Sequence, residues 1–176
     1  PGELRTILAR TRIEMIPFIT LGAFAGLRHA ELTRLDWDAV DLESGYVTVD
    51  AAKAKTKARR LVPISDNLMQ WLLTCPKRTG RVVPFRCVGD QLLKICHAGP
   101  GGQPPAIRWK PNGLRHSCIS YRCAITGNLP LIAAESGNSQ SVIESNYREL
   151  ATKAQAEEWF SIMPSMKGNV VPMIAG

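Results

Sequence analysis

Apolar positions recur along this chain with two different periods, and the period separates helices from strands. In "PGELRTILAR", Leu4, Ile7 and Leu8 share one helical face behind Pro1, which suits a first turn. A second helix is predicted from near Pro17 to Gly26, with Ile19, Leu21 and Phe24 turned inward. A third is predicted over Arg28–Leu35, with Ala30, Leu32 and Leu35 partly buried. The period then drops to two in "YVTVD" (46–50) and "RRLVPI" (59–64), two short strands with "AAKAKTKAR" between them. "DNLMQWLLTC" (66–75) is a helix with Asp66 as its expected N-cap, and "GDQLLKICHA" (89–98) is another. "GPGGQPP" (99–105) is a loop, and helices follow over 112–126, 129–136, 139–147 and 152–161. The tail "PSMKGNVVPMIAG" holds two Pro and two Gly and is not helical. The pattern predicts a mainly α (α+β) fold with one small antiparallel sheet.

Composition narrows the class. The 176 residues are 45% hydrophobic and 21% charged, ordinary for one globular domain. A net charge of +7 leans toward a polyanionic partner, nucleic acid before membrane, because no basic amphipathic helix of membrane type stands out. No apolar run reaches spanning length and no signal peptide opens the chain. The chain starts without Met on a helix-like stretch, which points to a piece of something longer. Cys75, Cys87, Cys96, Cys118 and Cys123 contain no CxxC pair and read as reduced thiols of a cytoplasmic protein with no metal site.

The string "GLRH" occurs twice, at 26–29 and 113–116, with unrelated flanks, so it is not a structural repeat. In the first copy Glu31 follows Arg28 by one turn; a carboxylate there can fix an arginine rotamer, but the spacing alone favours a surface ion pair. Lys53, Lys55, Lys57 and Arg59 alternate, so an extended segment would put all four on one face. That face is either a solvated hairpin tip or a surface that tracks a nucleic-acid backbone. Arg115, Ile119 and Arg122 lie at helical spacing, so Arg115 need not face solvent. Cys118 near His116 lacks an orienting third group and an oxyanion donor, which argues against a thiol nucleophile. Tyr147, between Asn146 and Arg148, is an ordinary amphipathic position unless two arginines and a lysine converge on it.

Taken in order, these segments resemble the catalytic domain of the tyrosine recombinase (phage integrase-like) family, from about Pro1 to Ile162. "GAFAGLRHAELTRLDWDAVDL" matches the first arginine box, with Arg28 and Glu31 in place. "KTKARRLVPI" matches the hairpin lysine and its strand, which points to Lys55. "NGLRHSCISY" matches the second arginine box and gives Arg115, and "AAESGNSQSVIESNYREL" matches the final box and gives Tyr147. Two positions depart from the family: Asn112 stands where a His is usual, and Asn138 where a His or Trp is usual. Neither amide exchanges a proton near neutral pH, though both donate and accept hydrogen bonds.

The resemblance implies a recombinase catalytic domain over 1–162 and a tail over 163–176 that is exchanged between protomers or disordered. A DNA-binding domain would precede the chain. It implies Tyr147 as nucleophile, Arg28 and Arg115 as phosphate clamps, and Lys55 as proton donor to the leaving oxygen. Asn112 and Asn138 would hydrogen-bond the phosphate, with Glu31 and His116 supporting and Lys53, Lys57 and Arg59 on the DNA backbone. The partner implied is double-stranded DNA bound by a homotetramer, with no cofactor, metal or membrane. Two other readings compete: a DNA-binding relative without catalysis, suggested by the two Asn positions, and a basic protein-interaction module.

Overall fold

The computed structural model describes residues 1–50, 59–97, 107–147 and 150–165. Its helices are α1 (Gly2–Arg10), α2 (Ile16–Phe24), α3 (His29–Leu32), α4 (Asp66–Leu73), α5 (Val88–His97), α6 (Gly113–Thr126), α7 (Leu129–Ser136), α8 (Gln140–Tyr147) and α9 (Lys153–Phe160). The strands β1 (Val40–Asp41), β2 (Tyr46–Val49) and β3 (Arg60–Pro63) form an antiparallel sheet in that order. Among the described residues no helix is long and apolar enough to cross a membrane.

The sequence "IPFITLGAF" explains why α2 is central. Every one of its residues is buried, as befits a helix that is apolar all round. It packs on α4 and α6, and α6 packs in turn on α9. Trp159 of α9 fixes that contact by donating its indole N–H to the Ala23 carbonyl at 2.8 Å. The sheet lies beside this bundle, with Val47 paired to both Val40 and Val62 and all three turned inward. A smaller apolar cluster joins Ile119, Ile132, Ala133, Ile143 and Tyr147, and it carries the last helices of the site.

Three local expectations change. The third helix is a single turn, because Leu35 and Asp36 leave it to bond the 81–82 segment: Val82 donates to the Leu35 carbonyl and Asp36 bridges Arg81. The sheet gains β1, a two-residue strand too short to announce a period. Ser65 rather than Asp66 is the N-cap of α4, which leaves Asp66 in the first turn, where a carboxylate suits the helix dipole.

Gly26 follows α2 at φ +64°, which lets the Leu27 N–H turn back to the Leu21 carbonyl at 3.4 Å. A Cβ there would stand 3.3 Å from the Cys118 sulfur. Gly26→Ala is therefore expected to cost at least ~1–2 kcal/mol for the left-handed backbone alone. Urea unfolding followed by tryptophan fluorescence checks this, and an unchanged midpoint would contradict it.

Candidate active site

The site forms where three helix ends meet. Beyond Gly26 the chain runs extended through Arg28, the N-cap of α3. Glu31, three residues on, reaches back so that its Oε2 accepts the Arg28 backbone N–H at 2.7 Å, half of a capping box. Its Oε1 accepts Arg28 Nη1 at 2.9 Å. The same carboxylate receives a second guanidinium, Arg60 of β3, through Nη1 at 2.9 Å and Nη2 at 2.8 Å. Four N–H donors thus fill the lone pairs of one carboxylate. Burial alone would raise the Glu31 pKa. The Arg60 fork, the Arg28 backbone and side-chain bonds, and the Arg60 charge outweigh it and hold the group at about 2.

Arg115, in the first turn of α6, is 4% exposed. Its Nη1 donates to the Gly26 carbonyl at 2.5 Å, and its Nη2 donates to the Ser136 carbonyl at 2.8 Å. Arg28 Nη2 donates to the Gly137 carbonyl at 2.8 Å. These acceptors are carbonyls at the C-terminal ends of α2 and α7, which lack helical partners and carry partial negative charge. The two arginines therefore cap two helices while the helices orient the arginines. Burial, then the nearby Arg28 and Arg60 charges, lower the Arg115 pKa to about 10 against the opposing pull of Glu31 and Tyr147. It stays charged at neutral pH.

One atom joins the two arginines. Asn138 Oδ1 accepts from Arg28 Nη2 at 3.0 Å and from Arg115 Nη2 at 3.1 Å. The turn that presents it depends on Gly137, whose φ is +65° and where a Cβ would meet the Arg60 guanidinium at 3.3 Å. Tyr147, the last residue of α8, is 6% exposed within the smaller cluster. Its ring stacks on His116, one residue after Arg115, with centroids 5.3 Å apart and planes 25° off parallel.

Arg28, Glu31, Arg115 and Asn138 thus converge, with Tyr147 and His116 alongside on α8 and α6. Asn112 stands slightly apart at φ 55°, a conformation asparagine tolerates, and its Oδ1 accepts the His29 backbone N–H at 3.0 Å. It ties the two "GLRH" segments together, while its Nδ2 donates to no described residue. Lys53, Lys55 and Lys57 lie outside the described residues. Arg59 is exposed and sits 3.8 Å from Asp50. The Cys118 thiol is pushed up to about 12 by burial, which removes the thiol–imidazole pair from contention. Among the described residues no group of His, Cys, Asp and Glu could hold a metal ion.

Arg60 escaped the sequence reading. Its signal was parity: it shares a strand face with the buried Val62, and a charge on an inward face demands a partner. Arg122 and Glu135 form a neighbouring pair behind it, and the Glu135 carbonyl accepts from Arg60 Nε at 2.8 Å.

Known proteins show the same arrangement of chain. The model of the phage integrase family matches residues 5–82, a segment that includes Arg28, Glu31 and Arg60. The integrase of Shigella phage Sf6 is 33% identical over 75 residues, 42% of this chain and 20% of the relative. Prophage integrase IntS of Escherichia coli (strain K12) matches with the same identity and coverage. This chain therefore spans about a fifth of the length of these curated relatives. Among solved structures, XerA recombinase superposes with a TM-score of 0.63 at 19% identity, over 90% of this chain and 60% of the other. The Tn1549 transposon integrase in complex with circular intermediate DNA gives 0.62 at 19% identity, over 90% and 64%. The integrase from mycobacterium phage Brujita gives 0.58 at 17% identity, over 96% and 58%. Residues 5–82 thus match the phage integrase family, and the chain has the fold of solved recombinase and integrase structures, in agreement with the two-arginine site.

Proposed function

We propose that this domain cleaves and rejoins DNA strands at a specific site through a 3′-phosphotyrosine intermediate. The observation that carries the reading is the Asn138 carbonyl oxygen, shared by Arg28 and Arg115 at 3.0 and 3.1 Å. Two guanidinium groups that already meet on one neutral oxygen will meet more strongly on a non-bridging oxygen of a phosphodiester, which is charged. The Tn1549 transposon integrase, of the same fold, is in complex with DNA. The net charge of +7 suits such a partner here.

In this reading the Tyr147 hydroxyl attacks the phosphorus held at the arginine seat. The new bond joins phosphorus to the tyrosine oxygen, and the bond to the 5′ oxygen breaks. Charge builds on the phosphate oxygens at the transition state, where fixed cations contribute most. Arg28 and Arg115 are those cations. Lys55, by its place in the family pattern, gives the leaving 5′ oxygen its proton. The phenolic proton leaves to water or to His116, whose ring stacks on that of Tyr147. The phosphotyrosine bond keeps the phosphodiester energy, so a second 5′-hydroxyl reseals the strand without ATP. Asn112 Nδ2 is a donor for a phosphate oxygen. Lys53, Lys57 and Arg59 extend the basic surface along the duplex. Residues 1–162 act as the catalytic unit, four of them on one recombination site.

Tyr147→Phe is expected to abolish covalent adducts with a pool of nicked duplexes of randomised sequence, resolved by denaturing gel. Salt-sensitive DNA binding should remain. Adducts that persist in the variant would overturn the nucleophile. Binding without adducts in the unaltered chain would instead favour a DNA-binding relative without catalysis. Asn138→Asp is expected to place a carboxylate between the two arginines. It should raise thermal stability and weaken duplex binding at low salt by about tenfold, ~1.4 kcal/mol. Fluorescence anisotropy with a labelled duplex reads the loss, and unaltered binding would argue that phosphate does not use this seat.

A further inference from the structure

We infer that Arg60 is a positioning residue that keeps Arg28 available for phosphate by carrying the counter-charge of Glu31. This rests on the proposed strand-transfer reading and extends it to a residue whose terminal nitrogens are both turned to Glu31. The Arg60 side chain is 13% exposed and Glu31 11%, whereas Arg28 is 37% exposed. Arg60 therefore lies behind the carboxylate and Arg28 in front of it.

The local charge balance shows what Arg60 does. The carboxylate that orients Arg28 also neutralises it, which defeats the purpose of a cation at a phosphate site. Arg60 directs both of its terminal nitrogens at Glu31, so its positive charge offsets the carboxylate in full. Three guanidinium groups (Arg28, Arg60, Arg115) against one carboxylate (Glu31) leave two positive charges facing the seat. Without Arg60 only one would remain. Arg122 and Glu135 cancel each other and leave that balance unaltered.

The geometry is specific to arginine. Two parallel bonds go to Glu31, and Nε donates to the Glu135 carbonyl at 2.8 Å, so β3 is pinned to α3 and α7 together. A lysine would bring the charge without the fork. The close passage under Gly137 makes room for it, since a Cβ at that position would stand only 3.3 Å from Arg60 Nη1.

The test compares the 176-residue chain with Arg60→Gln, with Arg60→Lys, and with a double variant that combines Arg60→Gln and Glu31→Gln. Three readouts apply: carbon NMR titration of the Glu31 carboxyl, anisotropy with a labelled duplex, and adduct formation on the randomised nicked pool. Arg60→Gln should move the Glu31 titration up from about 2 toward the ordinary carboxylate range. The stabilising contribution of Glu31 is present above its unfolded-state pKa and is lost as pH falls through the folded value, so acid unfolding of the variant should begin at higher pH. Adduct formation should fall about 10²-fold while duplex affinity falls far less. Arg60→Lys should recover part of the rate. The double variant should form adducts faster than Arg60→Gln alone, because a neutral amide at position 31 no longer cancels Arg28. A merely structural Arg60 predicts the reverse, a double variant as slow as the single or slower. That result, or a Glu31 titration unmoved by Arg60→Gln, overturns the inference. An unaltered chain that binds no DNA would overturn the strand-transfer reading instead, and the titration would still judge the charge arrangement.

Discussion

Two guanidinium groups repel each other, and they stay in one small volume only if something nearby offsets that repulsion. Here Arg28 and Arg115 share a single acceptor oxygen, and the rest of the architecture answers to that constraint. Part of the offset is the Glu31 carboxylate, partly buried yet held ionised by four donors. The remainder comes from backbone. The carbonyls of Gly26, Ser136 and Gly137 would otherwise be unpaired at helix ends, and they accept from the same two arginines.

This explains why the fold puts helix termini, rather than helix faces, at the site. The apolar α2 has no polar face to lend, so it contributes the carbonyl just past its C-terminus. Helix α6 contributes Arg115 from its first turn, and α7 ends in a glycine turn that projects Asn138. The sheet supplies Arg60 from beneath. Each element is anchored in the core on one side and turns an end toward the arginine pair on the other. The smaller cluster around Ile143 sets Tyr147 beside the second arginine box without a direct bond being required to hold it there.

Much of this was legible in the sequence because it rests on local pattern. Helix positions followed from period and caps, and the two "GLRH" segments announced a pair of arginines. What was not legible rests on distance. Spacing alone favoured a surface ion pair for Arg28–Glu31, whereas Glu31 is partly buried and also bonded by Arg60, 29 positions away. Tyr147 looked like an amphipathic surface position, but it shares a helix face with Ile143 and sits buried against His116. Asn138 appeared as a missing imidazole and a hydrogen-bond partner for phosphate; its carbonyl joins the arginines through a contact spanning 110 positions. The helix predicted over Arg28–Leu35 shortens to one turn because Leu35 bonds a distant segment, and the two-residue β1 was missed because it is too short to display a period.

The claim that Arg28 and Arg115 form one phosphate seat is tested most directly by a crystal structure of this chain bound to a nicked duplex. The account predicts a non-bridging phosphate oxygen within hydrogen-bond distance of both Nη2 atoms, with the Asn138 carbonyl displaced from between them. A bound duplex whose phosphates all lie elsewhere, with Asn138 still bridging the two arginines, would contradict it.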